Sequence, residues 1–222
     1  MPKVIIFGST GKAGLAIINH ALQNTDNVVS VYVRRPKRLP SHLKSKLNII
    51  VGDVLDADAV NDALKEQDLV LSSLGPGWNL KPMTVMSDGI KNIVNGMRNN
   101  GIKKLICIGV SFLLKEPDRE AFKFLQHVVA DHKRAIEFLS EVTDVDWIVM
   151  MPPRILGRSH VSEYRTAVDR LDGPDKVTTA DIADFMFSCA GDEAKFAEYN
   201  HKLVGISSFL TCFQAFCCCG CA

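Results

Sequence analysis

Near its amino terminus the chain reads Val4-Ile5-Ile6-Phe7-Gly8-Ser9-Thr10-Gly11-Lys12-Ala13-Gly14, an apolar run followed by glycines spaced three apart. The apolar run predicts a strand covered on both faces, and the next residues have helical periodicity. Gly8 permits a tight turn, Gly11 lets the backbone approach a ligand, and Gly14 lets the helix pack on the strand. Strand, glycine turn and helix together predict a phosphate-binding loop for a dinucleotide. A purely structural glycine turn is the alternative.

Beyond this stretch, apolar β-branched runs alternate with segments of helical period. This alternation is typical of an α/β fold with a doubly wound parallel sheet, so we predict a single Rossmann-like domain over residues 1–208. The predicted strands are Lys3–Phe7, Val28–Val33, Leu47–Val51, Leu69–Ser72, Lys104–Ile108, Trp147–Met150 and Leu203–Ser207, the last closing a sheet edge. The predicted helices are Ala13–Gln23, Ala57–Glu66, Pro82–Asn99, Asp118–Val142 and Thr179–Ala190. Residues 152–177 contain proline and glycine breaks and predict an irregular wall beside a substrate.

Composition narrows the possible partners. The 222 residues are 47% hydrophobic and 23% charged, which excludes disorder for most of the chain. The net charge of +1 argues against nucleic acid as a partner, since phosphate contacts need a basic surplus. No signal-peptide pattern follows Met1, so we expect a cytoplasmic protein with reduced thiols, acting as a monomer on a small molecule.

Five of the seven cysteines lie between Cys212 and Cys221, in an uncharged segment. The segment lacks the two separated ligand pairs of a zinc site, and after the last strand it is too short to span a bilayer. We therefore expect residues 209–222 to form a flexible tail. The alternatives are membrane contact through S-acylated cysteines and metal binding. The remaining Cys107 and Cys189 lie among apolar residues and predict small buried side chains.

The end of strand 28–33 bears on which dinucleotide binds. NAD-selective sites carry an acidic residue there, which bonds the ribose 2′-hydroxyl. This chain instead has Arg34-Arg35-Pro36-Lys37-Arg38, four cations and no carboxylate. Arg34 can pair with a 2′-phosphate and Arg38 can close over it, so the sequence predicts NADPH. A solvated basic loop is the alternative. After strand 47–51, Asp53 is placed to meet the adenine amino group.

Several motifs occur together in one order and spacing: Gly8–Gly11, Arg34–Pro40, Val51–Leu55, Thr84–Ser87, Ser111–Leu114, Asp131-His132 and Met151–Pro153. With them, about residues 3–206 of the chain resemble the biliverdin reductase B family of NADPH-dependent flavin reductases, which are atypical short-chain dehydrogenases. The resemblance implies NADPH-driven reduction of flavins and of linear tetrapyrroles of the biliverdin IXβ type.

The resemblance also implies site residues. Ser111 and His132 would be catalytic and would contact the acceptor, together with Arg154. The cofactor would be held by Gly8, Thr10, Gly11, Ala13, Gly14, Arg34, Arg38, Asp53, Val54, Leu74, Gly75 and Pro152. Two departures bear on the acceptor. Arg154 stands where the family has a second pocket histidine, and Gly77-Trp78 stand where the family has an arginine in the loop after Gly75.

The pattern of tyrosines bears on the reaction type. Carbonyl-reducing short-chain dehydrogenases use Tyr-x-x-x-Lys, and Tyr32, Tyr164 and Tyr199 all lack a lysine four residues on. Hydride transfer to a flat, electron-poor ring needs alignment more than a built-in acid. The sequence thus favours flavin or bilin reduction.

Two of the three acceptor-side residues have a second interpretation. Ser111 follows a strand and can orient the nicotinamide or bond the acceptor, or it can be a helix cap. His132 can supply a proton or steer a carboxylate, or it can be a solvated surface histidine. Arg154 can hold a propionate or the phosphate of FMN. For the whole protein, a non-catalytic NADP(H)-binding regulator of the NmrA-like kind is the alternative, since it shares the glycine loop and lacks Tyr-x-x-x-Lys.

Overall fold

A computed structural model describes residues 1–24, 26–77, 79–114 and 123–210 of the chain. Within these residues one large sheet contains eight strands, and a small sheet contains two. The strands are β1 Lys3–Phe7, β2 Val28–Val33, β3 Asn48–Val51, β4 Leu69–Ser72, β5 Lys104–Ile108, β6 Asp146–Met151, β7 Arg154–Leu156, β8 Glu163–Val168, β9 Lys176–Thr178 and β10 Lys202–Phe209. The helices are α1 Lys12–Asn24, α2 Ser41–Lys44, α3 Ala57–Ala63, α4 Val85–Asn100, α5 Gln126–Ser140, α6 Thr179–Gly191 and α7 Glu193–Tyr199.

The strand order of the large sheet is β3-β2-β1-β4-β5-β6-β10-β8. β1 pairs in parallel with β2 on one side and with β4 on the other. The order therefore reverses at β1, and the carboxyl ends of β1 and β4 flank the crevice where ligands bind in folds of this kind. The predicted doubly wound α/β sheet is confirmed.

Helices cover both faces of the sheet because successive residues of β1 point to opposite sides. Val4 and Ile6 pack with α1 and α6, whereas Ile5 and Phe7 pack with α3, α4 and α5. All four side chains are fully buried. This two-sided burial is why the strand is apolar at every position.

The prediction that residues 152–177 are irregular is wrong, because β7, β8 and the start of β9 lie there. β8 alternates exposed and more buried residues and pairs antiparallel with β10. The last strand does not close the sheet edge, since β10 lies between β6 and β8. A half-exposed edge strand has a weak apolar pattern, which explains why β8 was missed.

Helix ends differ from the predictions at several places. α4 begins at Val85 rather than at residue 82, and α5 begins at Gln126, with residues 118–122 of the predicted helix outside the described ranges. α7 was not predicted. β10 continues to Phe209, whose ring lies 4.6 Å from the Arg165 guanidinium, so the ordered domain extends past residue 208. The predicted cysteine-rich tail is outside the described residues from residue 211 onward.

Candidate dinucleotide and acceptor site

A cleft of about 530 Å³ lies at the carboxyl ends of the first four strands. The loops after β1, β2, β3 and β4 form its walls, and α4 contributes one residue. Its lining residues are Phe7, Gly8, Ser9, Thr10, Gly11, Lys12, Tyr32, Val33, Arg34, Arg35, Arg38, Gly52, Val54, Ser73, Leu74, Gly75, Gly77 and Val85. The cleft thus occupies the crevice that the reversal of strand order creates.

The glycine loop is packed too closely for side chains. Gly8 has φ +73°, and a Cβ atom there would lie 2.3 Å from the carbonyl oxygen of Ser73. A Cβ at Gly14 would lie 2.5 Å from the carbonyl oxygen of Gly8, because α1 sits directly against the loop. The Gly11 N–H donates to the Gly8 carbonyl at 3.1 Å and closes the turn. Ala13 and Gly14 do not line the cleft among the described residues, and they support the loop from the helix.

The amino end of α1 faces the cleft with positive charge. Its first turn contains no acidic residue, and Lys12 is its first residue. A lysine is unfavourable at the amino end of a helix, because the helix dipole is already positive there. A bound anion would be stabilised by both charges, so the local sequence favours a negative ligand at this position. The Ser9 hydroxyl is fully buried beside the cleft and has no hydrogen-bond partner among the described residues. These groups fit a pyrophosphate.

Three arginines line the cleft beyond β2: Arg34, Arg35 and Arg38. With Lys12 they make four cations, and no carboxylate is present among the described lining residues. Asp53 lies behind Arg34, with its Oδ2 3.9 Å from Nη1, and its Oδ1 accepts the Leu55 N–H at 3.1 Å. Asp53 therefore does not line the cleft, although its neighbour Val54 does. The electrostatics favour a ligand with several negative groups.

Tyr32 is a cleft residue that sequence reasoning missed. Its hydroxyl donates to the Asp53 carbonyl at 3.0 Å, and its ring lies 5.1 Å from that of Phe7. Burial, with the nearby Asp56 and Asp53 charges, raises the pKa of Tyr32 to about 12. A Cβ at Gly52 would lie 2.1 Å from the Tyr32 hydroxyl oxygen, so this glycine makes room for the tyrosine. Two features of the sequence could have indicated that Tyr32 lies in the cleft. It is the aromatic residue opposite Phe7 in the strand register, and a glycine follows β3.

The loop after β4 forms the far wall of the cleft. Ser73 is fixed by two bonds to the Phe7 carbonyl, from its N–H at 3.0 Å and from its hydroxyl at 3.1 Å. Leu74 lines the cleft and also a small inner cavity behind it. Leu74 is therefore the partition between the cleft and that cavity.

His132 lines this inner cavity, together with Cys107 and Gly109. It is 7% exposed, so the surface-solvated alternative is wrong. Burial lowers the pKa of His132 to about 4, against the opposing effect of Asp131, so the imidazole is neutral at physiological pH. Burial also raises the pKa of Cys107 to about 12, which keeps that thiol protonated. Gly109 leaves space for Met151, whose sulfur would lie 2.6 Å from a Cβ there.

Asp131 holds α5 against the start of α4. Its carboxylate is fully buried and accepts the N–H of Met86 at 2.9 Å and the hydroxyl of Ser87 at 2.5 Å. Arg134 donates to the same carboxylate at 2.9 Å. The pair Asp131-His132 thus consists of a structural carboxylate and a cavity-lining imidazole.

Ser111 begins a 3₁₀ turn, Ser111–Leu113, just after β5. The residue is fully buried, and its N–H donates to the Pro152 carbonyl at 3.1 Å. Its hydroxyl has no partner among the described residues. The position before the turn belongs to Val110, so Ser111 is not a helix cap. Neither Ser111 nor Pro152 lines the cleft or the inner cavity in the described part of the chain.

Arg154 is exposed on β7, where its backbone lies opposite that of Lys176 in the neighbouring strand β9. It lines neither the cleft nor the inner cavity. The structure therefore brings together the glycine loop, Arg34, Arg38, Val54, Leu74 and Gly75. Ser111 and Arg154 lie apart from this group, and His132 lines the inner cavity on the far side of Leu74.

Two features are absent from the part of the chain that the structure describes. No helix there is long and apolar enough to cross a membrane. No group of three or more His, Cys, Asp or Glu side chains there is arranged to hold a metal ion.

Comparison with known proteins places the chain in a class. Residues 8–193 match the NAD(P)H-binding family. UPF0659 protein YMR090W of Saccharomyces cerevisiae is 24% identical over 160 residues, covering 68% of each chain. A wide-type short-chain dehydrogenase/reductase from Veillonella parvula, solved with NADP, has TM-score 0.75 and 15% identity, covering 93% of this chain and 94% of that one. ChuY, an anaerobillin reductase from Escherichia coli O157:H7, has TM-score 0.74 and 17% identity, covering 93% of this chain and 97% of that one.

The fold and the match over most of the chain define a Rossmann-like, nicotinamide-dinucleotide protein. The chain belongs to the NAD(P)H-binding family. The prediction that the cofactor is a nicotinamide dinucleotide is confirmed by this family membership.

Proposed function

We propose that the protein is an NADPH-dependent reductase that passes hydride to flavins such as FMN and riboflavin, to biliverdin IXβ-type linear tetrapyrroles, or to both. The observation that carries the proposal is the chemistry of the cleft lining. Four cations and a glycine loop face the cleft, and no carboxylate or imidazole is present among its described lining residues. Such a lining suits a cofactor with several phosphates, and it provides no carboxylate or imidazole to act as a general acid or base.

Cofactor choice rests on Arg34 and its neighbours. An acidic residue after β2 would repel a 2′-phosphate, and this chain has arginine there. Asp53 is held behind Arg34 and away from the cleft, so it does not oppose an anionic ligand directly. We therefore assign NADPH rather than NADH.

When bound, NADPH supplies the hydride. The residues of the chain hold and orient the cofactor. The glycine loop and the start of α1 bind the pyrophosphate, and Leu74 and Gly75 form the wall beside it. Tyr32 keeps its proton, because its pKa is raised and its hydroxyl is engaged with the Asp53 carbonyl. The acceptor's proton then comes from solvent, and the rate depends on alignment.

Ser111 and His132 act on the acceptor side in this proposal. A buried hydroxyl without a partner costs free energy, so the Ser111 Oγ favours a ligand atom that bonds it. The neutral His132 can donate or accept one hydrogen bond through the inner cavity. The resemblance to flavin and bilin reductases supports these roles, and the same fold carries an anaerobillin reductase in ChuY.

A non-catalytic NADP(H)-binding regulator is the second candidate. It is favoured by one observation: Ser111, His132 and Arg154 do not line the dinucleotide cleft among the described residues. A regulator needs the cofactor cleft and no acceptor-side chemistry.

Steady-state NADPH oxidation separates the two. The purified protein is given FMN, riboflavin, biliverdin IXβ and quinones in turn, with NADH replacing NADPH as the control. We expect turnover with a flavin or the bilin and much weaker turnover with NADH. Tight NADPH binding without turnover of any acceptor would favour the regulator.

A further inference from the structure

We propose that Gly89, inside α4, is a positioning residue for the dinucleotide cleft, because its missing side chain lets Val54 and Leu74 lie back and keeps the cleft open. The inference rests on the dinucleotide site of the proposed function and does not involve the acceptor. Gly89 is buried behind the cleft and does not line it within the described ranges. It acts on a bound dinucleotide through the two side chains in front of it.

The backbone of α4 does not itself require a glycine at this position. Gly89 lies in the second turn of the 16-residue helix, and its φ is outside the left-handed region that Gly8 and Gly101 occupy. A glycine inside a helix is less favourable than an alanine, because it loses more backbone entropy on folding. The absence of a side chain at Gly89 therefore serves packing.

Two cleft-lining side chains fill the space in front of Gly89. A Cβ atom there would lie 3.0 Å from the Cδ1 of Leu74 and 3.1 Å from both γ carbons of Val54. Carbon atoms in favourable contact lie about 3.5–4.0 Å apart, so both side chains would have to move. Val54 and Leu74 line the cleft from the loops after β3 and β4. One helix position thus supports two walls of the cleft.

The helix cannot easily retreat from these side chains. The buried carboxylate of Asp131 holds the first turn of α4, and the Asn92 amide donates to the Val54 carbonyl at 2.9 Å. The inner cavity beside Leu74 has only about 10 Å³, at most the room for one water molecule. A methyl group added at Gly89 therefore moves Leu74 and Val54 into the space of the dinucleotide.

The test measures dissociation constants for NADPH and NADH by calorimetry, together with urea unfolding midpoints. Gly89→Ala should weaken both dinucleotides by roughly 5- to 50-fold, the range that overpacking by one methyl group produces. Their ratio should stay constant, because the contact lies away from the 2′-phosphate.

Gly96→Ala is the matched control on the same helix. A Cβ at Gly96 would lie 2.6 Å from the Cδ1 of Leu64, and neither residue is among the described residues that line the cleft. This variant should lower the urea midpoint and leave both dissociation constants unchanged.

A double-mutant cycle with Leu74→Val tests the route of the effect. Valine lacks the Cδ1 atom that the new methyl group would meet, so Gly89→Ala should lose less affinity in this background. Unchanged dissociation constants in Gly89→Ala, or the same loss in both backgrounds, would overturn the positioning role.

Asn92→Ala covers the case in which Gly89→Ala does not fold, since it removes only the bond to the Val54 carbonyl. It should weaken both dinucleotides by roughly 2- to 10-fold, and unchanged constants would contradict the support of Val54 by α4. Turnover plays no part in these measurements. If the protein binds NADPH but reduces no acceptor, the reductase function fails and the role of Gly89 is still decided. If it binds neither dinucleotide, both fail.

Discussion

The carboxyl ends of β1 to β4 and the carboxyl ends of β5 and β6 present two different kinds of site. At the first four strands, contiguous motifs of the sequence meet in one cleft, from the glycine loop to Leu74 and Gly75. At β5 and β6, Ser111 and Arg154 come from separate segments, and the described structure does not join them in one cavity. The dinucleotide half is therefore set by short backbone motifs, and the half that we propose holds the acceptor depends on longer-range packing.

This difference has a physical cause. A phosphate is bound by backbone N–H groups and a helix terminus, which a short local sequence can position. A flat acceptor ring is held by side chains that converge from several elements. We expect mutations in the first half to act on folding and cofactor affinity, and mutations in the second half to act on turnover.

The largest effect is expected in the glycine loop. In Gly8→Ala, the new Cβ would lie 2.3 Å from the Ser73 carbonyl oxygen at φ +73°, so the loop must shift. Urea unfolding should show a loss of roughly 3 kcal/mol, with NADPH binding abolished. Gly75→Ala is the control at the same edge, because no atom lies within 4 Å of its Cβ position. Equal stability of the two variants would contradict the tight packing of the loop.

A second prediction concerns acid stability and the buried His132. Its pKa in the folded protein is lowered to about 4 from 6.5, so the unfolded chain binds the proton first as the pH falls. Stability should therefore decrease between about pH 6.5 and pH 4, by about 3 kcal/mol in total. Urea unfolding across this range measures it.

His132→Gln should remove this part of the pH dependence, whatever its effect at neutral pH. The exposed His42, changed to Gln, should leave the pH dependence as it was. An unchanged acid profile in His132→Gln would mean that the histidine is not held neutral by burial.

Ser111→Ala tests the acceptor half directly. If the hydroxyl bonds the acceptor or the nicotinamide, kcat with flavin should fall roughly 10- to 100-fold while the Kd for NADPH changes little. Ser207→Ala is the matched control, since Ser207 is also buried with a hydroxyl that has no partner among the described residues, and it does not line the cleft. If both variants keep full turnover, Ser111 has no part in the reaction.

The smallest effect is expected at Arg154, which is exposed on β7. A single exposed charge contributes up to about 1 kcal/mol to an ion pair. Arg154→Ala should therefore raise the KM for FMN a few-fold and leave that for riboflavin unchanged, because riboflavin lacks the phosphate. A similar rise for both acceptors would show that Arg154 does not recognise an anion.

The strands that frame the dinucleotide cleft could be predicted from the sequence because their signals are local. The bounds of β1, β2, β4 and β5 agree with the structure, since each is a short apolar run between turn residues. Tyr32 was missed because its position in the cleft depends on Gly52 across the neighbouring strand. Such a contact is formed only when β2 and β3 pair.

The acceptor half was harder to predict for the same reason. The burial of His132 depends on the packing of α5 against α4, which Asp131 fixes by bonds to Met86 and Ser87. β8 has the mixed pattern of an edge strand, so its antiparallel pairing with β10 is invisible until both are placed. The weak local pattern of β8 and the long-range pairing that stabilises it together limit prediction here.

The position of β10 has a consequence for how the protein forms during synthesis. Residues 202–209 are made after β8, yet the strand they form is inserted between β6 and β8. A nascent chain can assemble β1 to β6 as they emerge, but β8 has no neighbour in the large sheet until β10 arrives. Until then the open side of β6 presents unpaired backbone groups, which makes the incomplete chain prone to association with other strands. Completion of the sheet therefore waits for residues 202–209, and chains that stop before residue 202 retain an unprotected edge.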